Sequence, residues 1–132
     1  MTRALLREHI FKIIFSLEFH NKEELEEQLN LYLKDNVDIA GKDEKYITKK
    51  VLLIGEMLPE IDEKINEISE GWPVNRIGKA ELSILRLATY EVVYDDDIPV
   101  NVAIDQAVEL SKKFGQDNSP AYINGVLAKL IK

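Results

Sequence analysis

The chain has 132 residues, of which 45% are hydrophobic and none is cysteine. This length fits one compact domain, and the hydrophobic content is high enough for a packed core. The absence of cysteine excludes disulfides, thiolate metal sites and cysteine nucleophiles. No apolar run approaches the roughly 18 residues of a membrane span, and early charges interrupt any signal-peptide core. We therefore expect a cytoplasmic protein.

The acidic charge is unevenly distributed along the chain. The formal net charge is -7, from 17 Lys and Arg against 24 Asp and Glu. Residues 21–71 hold seven basic and fourteen acidic residues, so this segment carries the acidic excess, and both ends are nearly neutral. A broadly basic nucleic-acid surface is therefore excluded, whereas a local RNA site at either end is not.

Apolar residues recur with a helical period between successive turn signals, and this pattern predicts seven helices. Gly71-Trp72-Pro73 is one of these turn signals. No stretch alternates with a two-residue period, so no strand is expected. The predicted helices span residues 2–19, 22–34, 43–57, 59–70, 80–94, 99–114 and 119–131. The sequence thus predicts an all-α bundle.

The first helix carries a row of basic and aromatic residues beside its apolar stripe. Arg3, Arg7, Phe11 and Phe15 recur at a spacing of four, which stacks them along one side. One interpretation is a domain edge at which the arginines extend to solvent. The other is an RNA-facing patch, because arginine pairs with phosphate and stacks on bases.

The helix predicted at residues 80–94 is apolar around most of its circumference, which indicates burial by neighbours on several sides. Its charged exceptions are Glu81, Arg86 and Glu91. Because a buried lone charge is costly, we expect Arg86 and Glu91 to find partners on other helices.

Asp95, Asp96 and Asp97 precede the sixth predicted helix, which Pro99 introduces. Three acidic residues raise the possibility of a metal site. Consecutive side chains point in different directions, however, and negative charge is favourable near a helix N-terminus. A solvated turn is therefore the preferred interpretation.

The loop before the last helix has the features of a phosphate site. Lys112 and Lys113 end the sixth helix, Ser119 is suited to cap the seventh, and Pro120 fits its first turn. Free backbone N–H groups and two lysines would favour a phosphate, and Tyr122 could stack on a base. The alternative is an ordinary connection between helices with a core tyrosine.

Catalytic signals are sparse. His9 and His20 would lie about 16 Å apart on a continuous helix, which is too far for a shared ligand. The sequence contains no zinc-protease motif, no phosphate-binding glycine loop and no dinucleotide-binding glycine motif. We expect a protein that is not an enzyme and that needs no cofactor or metal.

An Asn124-Gly125 pair interrupts the last predicted helix. Asn-Gly is typical of hairpin turns, yet the apolar residues around it recur as on a helix. Glycine there costs about 1 kcal/mol relative to alanine. We therefore expect Gly125 to allow close approach of a neighbouring helix, with Asn124 bonded to nearby backbone.

Three segments of the C-terminal half together form a specific pattern: "GWPVNRIGKAELSILRLATYEV", "IPVNVAIDQAVELSKKFG" and "SPAYINGVLAKL". This combination resembles the NusB-type transcription antitermination factors from Trp72 to Leu127. The first helix fits the family more loosely, and residues 21–70 match only in length and helical character. The resemblance implies one NusB-like domain over residues 1–132, with helical parts of about 1–70 and 71–132.

The resemblance also implies a function. Family members bind the boxA element of leader RNA together with a small-subunit ribosomal protein, called NusE in that role. The pair helps to assemble an antitermination complex on RNA polymerase, chiefly at ribosomal RNA operons.

The resemblance assigns roles to particular residues. The family's N-terminal basic segment maps onto Arg3 and Arg7, although this chain has fewer arginines there than many members. The position that meets the ribosomal protein maps onto Glu81. Phe15, another partner position, replaces a frequent tyrosine. The loop before the last helix, which lies on the family's RNA surface, maps onto Gln116, Asn118, Ser119 and Tyr122. Lys112 and Lys113, indicated by the residue pattern above, complete the expected RNA surface.

Two further classes remain open at this point. One is a helical adaptor without RNA binding. The other is an RNA-targeting domain related to ribosomal RNA cytosine methyltransferases, although no cofactor-binding α/β unit is present. A homodimer that covers the RNA surface is also left open.

Overall fold

Seven α-helices succeed one another along the chain, and the described residues contain no strand. The structure, a computed structural model, describes residues 1–70 and 74–131, so the predicted turn at Gly71-Trp72-Pro73 lies outside the described residues. The helices are α1 (Arg3–Phe15), α2 (Leu25–Asp35), α3 (Gly41–Glu56), α4 (Leu58–Ile68), α5 (Lys79–Tyr94), α6 (Val100–Phe114) and α7 (Ser119–Ala128). The predicted all-α fold is confirmed.

The chain divides into two units, Met1–Met57 and Leu58–Lys132. The first contains α1 to α3 and the second contains α4 to α7. The fourth helix therefore belongs to the second unit, whereas the sequence placed it in the N-terminal part. None of the described helices has the length and apolar character needed to cross a bilayer.

The first unit is built around α1, which packs against both α2 and α3. Thr2 caps α1 by accepting a backbone N–H of the first turn at 3.1 Å. The helix ends at Phe15, earlier than predicted, and Ser16–Glu18 form a short 3₁₀ turn. There the Ser16 hydroxyl donates to the Ile13 carbonyl at 2.6 Å, which is typical of a tightening helix end.

The second unit is built around α5, which packs against α4, α6 and α7. Every residue from Leu82 to Glu91 is buried, as the apolar circumference predicts. Arg86 forms a bidentate ion pair with Asp62 of α4, with N···O distances of 2.9 and 3.0 Å. The predicted partner for Arg86 on another helix is thus confirmed. Glu91 is also buried.

The Asp95–Asp97 run forms a turn, as predicted. The Asp97 backbone N–H donates to Asp95 Oδ1 at 3.1 Å, and Asp96 and Asp97 are exposed. This side chain to backbone bond is typical of aspartate in turns. The run therefore ends α5 and leads through Pro99 into α6.

The close-packing role expected for Gly125 is wrong. A Cβ built on Gly125 would meet no atom within 4 Å, and both Asn124 and Gly125 are exposed on α7. Within the described residues, the Asn124 side chain makes no hydrogen bond. Close helix approach occurs instead at Gly55 of α3, where a Cβ would lie 2.5 Å from Leu25 Cδ2 of α2.

We predict that Gly125→Ala stabilises the protein by about 0.5–1 kcal/mol, because alanine is the better helix former and nothing obstructs its methyl group. Gly55→Ala is the matched control and should destabilise the protein, since Leu25 is buried and must shift. Urea unfolding midpoints measure both changes. Destabilisation by Gly125→Ala would contradict the open face of α7.

We predict that Asp62→Ala destabilises the protein by about 2–3 kcal/mol, because it leaves the buried Arg86 guanidinium without its carboxylate. The figure lies below that for a fully buried pair since the Asp62 side chain is 25% exposed. Glu63→Ala, an exposed change on the same helix, should have little effect. Equal unfolding midpoints for the two variants would contradict the prediction.

Candidate nucleic-acid interface

Arg3 is an exposed cation held in place by an aromatic ring. Its guanidinium carbon lies 4.5 Å from the centre of the Tyr46 ring, which α3 supplies. Such a contact restricts the long side chain while leaving N–H groups able to meet an anion. The described geometry is therefore compatible with the predicted RNA role of Arg3.

The sequence pattern predicted that Arg7 and Phe11 lie at the edge of the apolar stripe, but the structure buries both residues. They are 3% and 4% exposed, respectively. The reason is that α1 packs against α2 and α3, so its buried face is wider than the stripe alone. Arg7 is consequently a buried arginine of the first unit, and the exposure expected for it on the first helix is wrong.

Phe15 belongs to an aromatic series that reaches the surface. Its ring centre lies 6.0 Å from that of Phe11 and 5.4 Å from that of Phe19. Phe15 is half-buried, whereas Phe19 is 60% exposed. The sequence interpretation missed Phe19, although continuing the four-residue spacing from Phe15 leads directly to it.

Lys112 and Lys113 are exposed in the last turn of α6, as predicted. Lys112 forms an ion pair with Glu109 at 3.1 Å, and Lys113 Nζ lies 5.6 Å from the centre of the Phe114 ring. Exposed pairs of this kind are weak, so an incoming phosphate can compete for both ammonium groups.

Ser119 does not cap α7, which corrects the sequence interpretation. It is the first residue of the helix, and the capping position belongs to Asn118, whose side chain makes no capping bond. The Ser119 hydroxyl instead accepts the Gln116 backbone N–H at 2.8 Å and donates to Glu81 Oε2 at 2.5 Å. Ser119 is only 3% exposed, so direct contact of its hydroxyl with RNA is not supported.

Glu81 lies in the first turn of α5, where negative charge is favourable. Its side chain is half-buried and folds back over Gly78, so that a Cβ on Gly78 would fall on Glu81 Oε1. The carboxylate is thus fixed from two sides, by Ser119 and by the start of its own helix. It remains partly accessible to a cationic partner.

A cavity of about 300 Å³ lies between the start of α5 and the start of α7. We call it the Glu81 cavity. Its lining residues are Arg76, Ile77, Gly78, Glu81, Gln116, Asn118, Ser119 and Tyr122. Five of these residues were predicted from the sequence, Glu81 for the partner protein and the other four for RNA. The structure places all five around this cavity: Glu81, Gln116, Asn118, Ser119 and Tyr122. Arg76 was missed, although it is the arginine of the quoted "GWPVNRIG" segment.

Tyr122 is half-buried in this cavity. Burial raises the pKa of its phenol, and the negative charge of Glu81 raises it further. The phenol is therefore a neutral hydrogen-bond donor near pH 7, and its ring offers a partly exposed face. Gln116 and Asn118 are exposed beside it, as an RNA-contacting role requires.

The two histidines have separate neighbours. His9 is buried, and its Nδ1 lies 2.6 Å from the Tyr32 hydroxyl. Burial lowers the pKa of His9, and the nearby charge of Lys12 lowers it further. His20 lies beyond the end of α1 and is 3.5 Å from Glu24, so the continuous helix assumed for the pair is absent. Across residues 1–70 and 74–131, no group of three acidic or histidine side chains could hold a metal.

Similarity to known proteins extends over nearly the whole chain. The NusB family model matches residues 5–132. Transcription antitermination protein NusB from Lachnoclostridium phytofermentans is 46% identical, with 99% of each chain covered. The protein of the same name from Agathobacter rectalis is 47% identical, with 98% of each chain covered.

Solved structures agree with this relationship. T. maritima NusB is 35% identical and has a TM-score of 0.89, covering 98% of this chain and 90% of its own. A structure of antitermination factors NusB and NusE in complex with dsRNA has a TM-score of 0.84 at 23% identity, covering 98% and 97%, and therefore shows the shared fold. The chain belongs to the NusB family.

Proposed function

We propose that this protein is a transcription antitermination factor that binds boxA leader RNA together with a small-subunit ribosomal protein in the NusE role. The pair would help to assemble the antitermination complex on RNA polymerase, chiefly at ribosomal RNA operons. The observation that carries this proposal is the Glu81 cavity, where the carboxylate that we assign to the partner contact lies beside Gln116, Asn118 and Tyr122. Family membership supports it.

The RNA surface has one region in each unit. In the first unit it is Arg3, and in the second it is Lys112 and Lys113 with Gln116, Asn118 and Tyr122. Lysine and arginine would neutralise phosphates, while the Tyr122 ring and the amide side chains would contact bases. Because these cations are few and the chain is acidic overall, binding of RNA to the free protein is expected to be weak.

The ribosomal partner compensates for this shortage of positive charge. A basic protein is attracted to a chain of net charge -7, and its own cations would add further contacts along the RNA backbone. Glu81 and the aromatic residue Phe15 are the proposed contacts. The role is a binding one carried out in the cytoplasm, and the protein is not an enzyme.

Filter binding with a boxA-containing single-stranded RNA tests the proposal across a salt series, with and without the ribosomal partner. An RNA binder loses affinity steeply as salt rises, by a slope of about 0.7 per neutralised phosphate. A duplex of the same sequence distinguishes single-stranded from double-stranded preference. Absence of RNA retention under all conditions would favour the helical adaptor instead.

We predict that Arg3→Ala weakens RNA binding about 3- to 10-fold at low salt and lowers the salt slope by roughly one phosphate contact. Lys22→Ala removes an exposed cation elsewhere in the same unit and should leave RNA affinity unchanged. Arg7→Ala should lower the thermal midpoint, because Arg7 is buried. If Arg7→Ala leaves the thermal midpoint unchanged but weakens RNA binding, Arg7 belongs to the RNA-binding residues.

We predict that Glu81→Gln weakens binding to the ribosomal partner about 5-fold or more, because the amide removes the charge that attracts a basic group. The amide oxygen can still accept from Ser119, so RNA binding in the absence of the partner should change little. Glu63→Gln removes the same charge from an exposed site in the second unit and serves as the control. Titration calorimetry with the partner measures both. Equal affinities would remove the charge of Glu81 from the partner contact.

A further inference from the structure

The Glu81 carboxylate is connected to the loop that precedes α7 by a chain of two hydrogen bonds. The Gln116 backbone N–H donates to Ser119 Oγ at 2.8 Å, and the same hydroxyl donates to Glu81 Oε2 at 2.5 Å. Ser119 is buried, so water does not compete freely for these bonds. Hydrogen bonds in such a series polarise and strengthen one another. The backbone position of Gln116 thus depends on the carboxylate 35 residues earlier in the chain.

A glycine lies closely against each end of this chain of hydrogen bonds. A Cβ on Gly115 would lie 2.7 Å from Ser119 Oγ and 2.8 Å from the Ser111 carbonyl oxygen. A Cβ on Gly78 would fall on Glu81 Oε1. The Ser119 hydroxyl and the Glu81 carboxylate therefore occupy the space that a side chain at Gly115 or Gly78 would need.

We propose that Ser119 is a positioning residue that couples partner binding at Glu81 to RNA binding at the loop of residues 115–119. This inference rests on the proposed function, because that function assigns Glu81 to the partner and Gln116 and Asn118 to RNA. Two states of the loop are involved. In the linked state seen here Ser119 bonds Glu81, and in the unlinked state the loop is released from α5.

We expect the coupling to be positive, because the Glu81 carboxylate can accept hydrogen bonds from Ser119 and from the partner at the same time. A carboxylate accepts about four hydrogen bonds, so a cationic partner group can bind Glu81 while Ser119 keeps its bond to Oε2. A partner that holds the Glu81 side chain in place favours the linked state and orders the loop before RNA arrives. RNA then binds without the entropy cost of ordering Gln116 and Asn118, so each ligand raises the affinity for the other.

The test is a thermodynamic cycle of four affinities: RNA with and without saturating partner, and partner with and without RNA. The probes are the boxA-containing RNA and the basic ribosomal protein. The ratio of RNA affinities with and without partner is the coupling factor. We expect Ser119→Ala to reduce this factor about 3-fold or more, within the range that such couplings span.

Ser111→Ala is the matched control. Ser111 is also a fully buried serine of the second unit, but its hydroxyl donates to the Val108 carbonyl within α6 at 2.6 Å. It should leave the coupling factor unchanged even if the thermal midpoint falls. Gly78→Ala is a second test variant, because its methyl group displaces the Glu81 carboxylate without altering either bonded side chain. It should reduce the coupling factor as Ser119→Ala does.

The outcomes are distinct. Loss of coupling in Ser119→Ala and Gly78→Ala, but not in Ser111→Ala, supports the inference. A parental coupling factor in Ser119→Ala overturns it, as does equal loss in Ser111→Ala, which would reflect general destabilisation. If the parent binds both ligands with a coupling factor of one, the inference fails and the proposed function stands. If the parent binds no RNA even with the partner, the proposed function fails and the inference fails with it.

Discussion

The burial of α5 is the constraint on which the second unit depends. Ten consecutive residues from Leu82 to Glu91 are buried, so α4, α6 and α7 must enclose this helix. Enclosure in turn requires that Arg86 be paired, and Asp62 on α4 supplies the carboxylate. The same enclosure fixes the first turn of α5, and with it the position of Glu81 relative to α7. A packing requirement therefore places the proposed binding residues.

The helices could be predicted from the sequence because apolar spacing and turn residues are local signals. All seven exist, and most differ from their predicted bounds by one to three residues. Long-range facts could not be predicted in the same way. Arg7 has the spacing of an exposed residue, yet it is buried because α1 packs on two neighbours rather than one. Likewise, exposure of Gly125 and contact at Gly55 depend on which helices are adjacent, which periodicity does not encode.

Ser119 illustrates the same limit within the site. The local sequence pattern predicts that Ser119 caps α7, because a serine followed by a proline is typical of the start of a helix. Its hydroxyl instead bonds Glu81, 38 residues away, because the starts of α5 and α7 converge on one cavity. The family resemblance had placed these two residues on partner and RNA surfaces separately. Only the three-dimensional structure places them on one hydrogen-bond chain, which makes a joint response to two ligands physically reasonable.

Because of the exposed Asn124-Gly125 pair, the rate of asparagine deamidation in this protein depends on how often α7 opens. In a flexible chain, asparagine followed by glycine readily cyclises and loses its amide, because the glycine nitrogen can reach the side-chain carbonyl. Inside a helix that nitrogen is held by the backbone bonds of the turn. Deamidation at Asn124 should therefore proceed only through transient opening of α7. Each such event would leave a permanent negative charge on the helix that also carries Ser119 and Tyr122.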